Sequence, residues 1–291
     1  MENPPQRVLW VEADGTVKID DAWMENFRNI FGSRKMHILT ICGAYRTGKS
    51  FLLNQIAQAP GFEVAGSVNA CTDGIWAWPA EGGAESGEGW VMLDCEGSGN
   101  TEHDRSHDAK IFALAAVVSS LFIFNSKGVI DEQAVQHLSL VAALADHISS
   151  KAEGPGLMWV LRDFCLALED QAGNLISADE YMESALDPSG ARKQDGKESR
   201  NLIKKLFSQR YCFPLVAPCI DEEALQNLEI SSGIRPEFTS AVSELRTEIV
   251  RNCPVKAVNG VALTGIALPA LLHAAAAAFN DGEAPKIDSV W

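Results

Sequence analysis

Paired cysteines are missing from this 291-residue chain. Its seven cysteines are scattered and none belongs to a Cys-x-x-Cys pair, which excludes the common zinc-ribbon arrangements and leaves a reduced, intracellular (cytoplasmic) setting as the expectation. An excess of positive charge is missing too. Against 39 Asp and Glu stand 24 Lys and Arg, a formal charge of −15, and that field repels phosphate backbones and anionic lipid surfaces. Nucleic acid is therefore not an expected partner. Met1-Glu2-Asn3-Pro4 carries neither a basic nor an apolar leader pattern, and Asp288 to Trp291 offers no cysteine for prenylation, so no direct membrane anchor is expected. Val261 to Phe279 is uncharged over about the length that crosses a bilayer. It contains Gly265, Pro269 and His273 and leans on alanine, a composition that suits a packed amphipathic helix opened by proline.

What is present points to an α/β chain. With 46% hydrophobic residues, the length supports one large core, and a single domain over residues 1–291 is expected. Val8 to Ile19 reads as a β-hairpin turning at Asp14-Gly15, followed by a helix over Asp21 to Phe31. Apolar, β-branched runs at Met36–Cys42, Trp90–Asp94, Leu121–Asn125, Leu157–Leu161 and Tyr211–Val216 read as strands. Helical patterns at Phe51–Ala57, Ala109–Val118, Asp131–Ser149 and Glu198–Phe207 alternate with them. The expected fold class is α/β, a mostly parallel sheet covered by helices on both faces, with ligands at the strands' carboxyl ends. Pro79–Gly89, Gly97–Asp108 and Asp187–Arg200 read as loops.

The chemistry concentrates at those carboxyl ends. Gly43-Ala44-Tyr45-Arg46-Thr47-Gly48-Lys49-Ser50 has the G-x-x-x-x-G-K-S spacing of a phosphate-binding loop between a strand and a helix. In such a loop backbone N–H groups wrap an anion, Lys49 neutralises β- and γ-phosphates, and the Ser50 hydroxyl ligates Mg²⁺. Asp94 ends the next strand, where it would serve the metal from the second shell. Gly97, in Asp94-Cys95-Glu96-Gly97, would sense a γ-phosphate. Thr72 lies between the loop and Asp94, where a hydroxyl would complete the metal shell. Trp76 and Trp78 read as residues of a following strand. The Asn-Lys-x-Asp guanine signature is absent, and Asn125-Ser126-Lys127-Gly128 lacks its aspartate. Asp163, after Arg162 at another strand end, has the carboxylate that pairs with the guanine N1–H and N2–H₂ donors; an ordinary Arg-Asp surface pair fits the same residues.

The loop Gly43–Ser50, Thr72-Asp73-Gly74-Ile75-Trp76-Ala77-Trp78, Asp94–Gly97 and Leu161-Arg162-Asp163-Phe164 together resemble the GTPase domain of the guanylate-binding proteins, dynamin-superfamily large GTPases. Similarity continues through Ile111–Ala115, Ser119-Ser120, Phe124–Ser126, Asp179–Tyr181 and Val258–Gly260. The resemblance implies a Ras-like P-loop GTPase domain with Mg²⁺ as cofactor and GTP and GDP as ligands. Its binding set would be Gly43, Tyr45, Arg46, Thr47, Gly48, Lys49, Ser50, Phe51, Gly97, Arg162 and Asp163, with Asp163 reading guanine beside Arg162. It implies a catalytic set of Arg46, Lys49, Ser50, Thr72 and Glu96, in which Arg46 acts as an internal arginine finger once two GTPase domains face each other, and Glu96 orders water. Metal-shell residues would be Ser50, Thr72 and, from the second shell, Asp94. A GTP-dependent homodimer through the GTPase-domain face is expected, with hydrolysis to GDP and in some members to GMP.

Two departures stand out. Family members often carry serine two positions before the switch threonine, where this chain has Ala70, and the family's long helical C-terminal region is not expected in these residues. The segment from Ala217 to Thr239 corresponds to the loop that caps guanine; Asp221, Glu222 and Glu223 make it acidic. Asp108 matches an acidic switch-region residue and is a candidate dimer contact. His103 and His107, with Asp104, read as a solvated loop rather than a metal site. A nucleotide-controlled interaction module with little turnover, an atlastin-like membrane-remodelling GTPase and an ATP-using enzyme are the rival readings.

Overall fold

A computed structural model describes residues 4–64, 74–80, 87–95, 105–148, 154–170, 172–190, 194–220 and 233–281. The chain builds an eight-stranded sheet in the order β2-β1-β4-β5-β3-β6-β7-β8, with β1 Gln6–Val11, β2 Val17–Ile19, β3 Lys35–Gly43, β4 Ile75–Ala80, β5 Glu88–Cys95, β6 Leu121–Lys127, β7 Gly156–Arg162 and β8 Arg210–Leu215. From β5 through β8 every neighbouring pair is parallel, whereas β1, β2 and β4 add an antiparallel edge. The fold is thus the α/β arrangement expected.

Strand parity assigns the two faces. Phe122 and Phe124 of β6 and Leu157, Trp159 and Leu161 of β7 enter one core. It is shared with α1 (Asp21–Phe31), α3 (Arg105–Val118), α4 (Glu132–Ile148), α5 (Ala178–Ala185), α6 (Gln194–Leu206) and α8 (Ala267–Asp281). Their alternates Leu121, Ile123, Met158 and Val160 enter the other, with α2 (Lys49–Ala57) and α7 (Pro236–Asn252). Side chains that alternate across a pleat must do this when both faces are covered.

The hairpin forms as expected, with Gly15 at φ 84° in its turn. A second hairpin, β9 Ala257–Val258 with β10 Val261–Ala262, turns at Asn259 (φ 52°) and Gly260 (φ 76°), the Asn-Gly pair that two-residue hairpins favour. Four expectations are corrected. Residues 79–80 and 88–89, read as loop, belong to the end of β4 and the start of β5. Residues 194–200, read as loop, belong to α6, because Arg200 and Ile203 on its buried face pack inward. Residues 105–108 open α3. The end of the segment read as a capping loop, Pro236 to Thr239, starts α7, whose Phe238, Val242, Leu245 and Ile249 form one buried stripe. The Pro269 helix is present, starting two residues earlier at Ala267, and no helix among the described residues is long and apolar enough to cross a membrane.

Candidate nucleotide-binding site

The sequence Gly43 to Ser50 folds as the spacing demands. β3 ends at Gly43, a turn runs to Gly48, and α2 begins at Lys49. Glycine is required at both ends of that turn for different reasons. A Cβ on Gly43 would stand 2.0 Å from the Asn125 carbonyl oxygen, so β3 and β6 touch there. Gly48 caps α2 at φ 74°, in the left-handed region. Arg46 also holds a positive φ, 62°, where a side chain carries strain, and its exposed guanidinium lies 5.3 Å from the Tyr45 ring centre.

Lys49 is buried, and its ammonium donates to the carbonyls of Gly43 (3.4 Å) and Ala44 (3.2 Å). The Thr47 hydroxyl donates to Ala44 O at 2.8 Å. Ser50 Oγ donates to Asp94 Oδ2 at 2.5 Å, joining the start of α2 to the end of β5 across a parallel strand pair. A hydroxyl and a carboxylate are the hard oxygen donors that suit Mg²⁺, so the residues present fit the ion. Among the described residues no group of three or more His, Cys, Asp and Glu forms a metal cluster; a phosphate-assisted Mg²⁺ shell has no need of one. Phe51 is buried against Phe238 with ring centres 5.9 Å apart, so it packs the first turn of α2 onto α7.

β7 delivers the second half of the site. Arg162 ends the strand on the α2 and α7 face, and Asp163 follows at φ 55°. That backbone turn separates the two side chains. Arg162, 5% exposed, runs under the phosphate loop, where Nη1 donates to Thr47 O (3.2 Å) and Gly48 O (3.0 Å). Burial lowers its pKa to about 10, with Asp163 opposing the shift, so the guanidinium is charged at neutral pH. Asp163 instead meets Lys127 Nζ at 3.1 Å. β6 and β7 align Lys127 beside Arg162. A carboxylate thus stands beside Lys127 in space, from the residue that follows the neighbouring strand, a relation the linear sequence hides. Asn125, fully buried, donates through Nδ2 to Thr47 O at 3.0 Å.

The structure thus brings together Gly43, Tyr45, Arg46, Thr47, Gly48, Lys49, Ser50, Phe51, Asp94, Arg162 and Asp163 at one edge of the sheet. Thr72, Glu96 and Gly97, with Ala70, His103, Asp104 and Asp221 to Glu223, lie outside the described residues, as does the side chain of His107. Asp108 is 3% exposed, so the expected contact with a second copy would require that carboxylate to be uncovered. Trp76 is half-buried and Trp78 buried on β4, as expected of strand residues. Cys42 and Cys95 are buried small residues whose strands adjoin. Burial, then the neighbouring Cys95 thiol, pushes Cys42 well above the ordinary thiol pKa, which suits packing and not nucleophilic work. Sequence reasoning missed Lys127 as the partner of Asp163, and Asn125 as a support of the phosphate loop.

Residues 14–258 match the family model described as guanylate-binding protein, N-terminal domain. The chain belongs to the guanylate-binding protein family. Guanylate-binding protein 2 of Rattus norvegicus is 34% identical over 278 residues, covering 87% of this chain and 46% of that protein. Guanylate-binding protein 5 of Homo sapiens is 34% identical over 275 residues, with 87% and 47% covered; guanylate-binding protein 1 of Mus musculus is 34% identical over 275 residues, with 87% and 46% covered. The chain spans about half the length of these curated relatives.

Proposed function

We propose that this guanylate-binding protein family chain is a Mg²⁺-dependent GTPase domain that hydrolyses GTP to GDP, with a second step to GMP open to it. The observation that carries this reading is the convergence of the Gly43–Ser50 loop, the Ser50–Asp94 pair and Asp163 at one sheet edge. Lys49 gives up its loop carbonyls for β- and γ-phosphate oxygens, and the Gly48 and Lys49 amides at the start of α2 complete an anion cradle. Ser50, Thr72 and the second-shell Asp94 would hold Mg²⁺, which when bound neutralises developing phosphate charge. Asp163 accepts from guanine N1–H and N2–H₂ once Lys127 yields its carboxylate. Water is the nucleophile, ordered through Glu96, and Gly97 senses the γ-phosphate.

Arg46 is exposed and held at an unfavourable φ, which supports the role of an arginine finger brought into play when two GTPase domains meet in a GTP-dependent homodimer. Free thiols, Cys165 exposed among them, fit a reducing cytoplasmic setting. The whole of residues 1–291 is read as this single domain. The deciding experiment is steady-state GTP hydrolysis with Mg²⁺ across a range of protein concentrations, products resolved by chromatography, for this chain and Arg46→Ala. Specific activity that rises with concentration and falls by about a thousand-fold in Arg46→Ala is expected. Binding without turnover in both proteins would favour the interaction-module reading that Ala70 keeps open.

A further inference from the structure

Arg162 and Asp163 are adjacent in sequence and diverge in space. We infer that Arg162 is a positioning residue of the phosphate loop and not a contact to the base, so that one dipeptide joins base recognition to phosphate binding. This inference rests on the guanine-nucleotide reading above.

The geometry is specific. Arg162 Nη1 lies 3.2 Å from Thr47 O and 3.0 Å from Gly48 O. Asn125 Nδ2, from β6, takes the same Thr47 carbonyl at 3.0 Å, and Gly48 O also accepts Leu52 N at 3.0 Å. A trans peptide points its C=O and N–H in opposite directions. Pinning the Thr47 and Gly48 carbonyls inward therefore aims the Gly48 and Lys49 N–H groups outward, into the position where an anion is held at a helix start. The guanidinium lies directly against the loop, because a Cβ on Gly48 would stand 3.2 Å from Nη1. It also lies 5.9 Å from the centre of the Phe238 ring of α7. Among the described residues Arg162 Nε is buried with no hydrogen-bond partner, a cost that a residue kept only for packing would avoid by being apolar. The charge also sits beneath the loop, where it adds to the field an anion meets.

Affinities for guanosine, GMP, GDP, GTP, ADP and XDP test this by competition against a fluorescent GDP, in the unmodified chain and in Arg162→Lys, Arg162→Met, Asn125→Ala and Asp163→Asn. Arg162→Met is expected to weaken GDP and GTP about ten- to a hundred-fold, the usual worth of a charged hydrogen bond. The loss should grow from guanosine through GMP to GTP while the GDP-to-ADP preference stays within about threefold. Arg162→Lys, which keeps charge without the fork, should fall between, and Asn125→Ala should follow the same ligand order more weakly. A purely structural role would weaken all ligands alike in step with lost thermal stability, and that result overturns the inference. So does a collapse of the GDP-to-ADP preference in either Arg162 variant, or unchanged affinity in Arg162→Met. Asp163→Asn should exchange GDP for XDP. If it leaves the GDP-to-ADP preference intact, the guanine reading fails, while the dependence of the Arg162 loss on phosphate number still decides the role of Arg162.

Discussion

At the carboxyl edge of the sheet Lys49 bonds two loop carbonyls at 3.4 and 3.2 Å; at the amino edge Lys256, equally buried, bonds Ser119 O at 2.8 Å. Around Lys49 the backbone is bent into positive φ at Arg46, Gly48 and Asp163, and the acceptors of Lys49 include two carbonyls of that turn. Around Lys256 the chain is knitted shut. Ser120 Oγ accepts Ile38 N at 3.1 Å, and Met36 bonds both Leu263 and Lys256 through its backbone. His37, stacked on Trp90 at 4.4 Å, places Nδ1 2.8 Å from Cys253 O and Nε2 3.1 Å from Glu88. On the proposed function the two buried lysines do different work: Lys49 exchanges loop carbonyls for phosphate, whereas Lys256 ties segments of the core together. The amino edge closes the core. The carboxyl edge holds a buried cation on loop carbonyls, the arrangement that the proposed phosphate site calls for.

The sharpest way to break this comparison is to exchange each lysine for methionine. Lys49→Met should lower GDP and GTP affinity about a hundred-fold, because phosphate oxygens lose a charge-assisted donor. Lys256→Met should leave that affinity unchanged and cost about 1–3 kcal/mol of stability in urea unfolding. Equal effects of both variants on nucleotide binding would erase the distinction.

A smaller effect separates two glycines of similar conformation. Gly48 (φ 74°) faces Arg162, whereas an added Cβ on Gly260 (φ 76°) would meet nothing within 4 Å among the described residues. Alanine at either position should cost about 1 kcal/mol from the left-handed backbone, read by thermal unfolding. Only Gly48→Ala should also weaken GDP, since its methyl displaces the guanidinium below the loop.

The smallest concerns an ion pair near the carboxyl edge that is built like the amino one. Glu132, opening α4, receives Arg200 Nη2 at 2.8 Å, and that hydrogen bond holds its pKa below the usual glutamate value of 4.5. A depressed folded pKa means stability that is present above pH 4.5 and lost as the pH falls through the folded value. Because the Glu132 side chain is 51% exposed, Glu132→Gln should remove less than about 1 kcal/mol at pH 7. The variant's unfolding curve should then be flatter than the parent's below pH 4.5.

Much of this arrangement was legible in the sequence, for reasons that differ by element. The G-x-x-x-x-G-K-S spacing fixes a strand, a turn and a helix start, so the positions of Lys49 and Ser50 followed from local chemistry. Helix α7 was overlooked although Pro236 and the stripe Phe238, Val242, Leu245 and Ile249 announce it, because the resemblance assigned Ala217 to Thr239 to a capping loop. The start of α6 was overlooked because residues 194–200 are mostly polar and its buried face is carried by Arg200, which donates to Glu132 and to the Ala185 and Gly196 carbonyls. The divergence of Arg162 from Asp163 was beyond any linear motif. It depends on which face of β7 position 162 occupies and on the left-handed turn that follows. Lys127 meets Asp163 only because β6 and β7 are neighbours in register.

The contact between Gly43 and the Asn125 carbonyl also sets a limit in time. With no room for even a methyl group between the two strands, Gly43 is locked to the sheet and moves only as the sheet does. Within residues 43–50, motion must then begin at Ala44, between a clamped strand end and the first turn of α2. Loops that short move on the nanosecond-to-microsecond scale, so on the proposed nucleotide-binding role this turn would adjust quickly around an arriving phosphate.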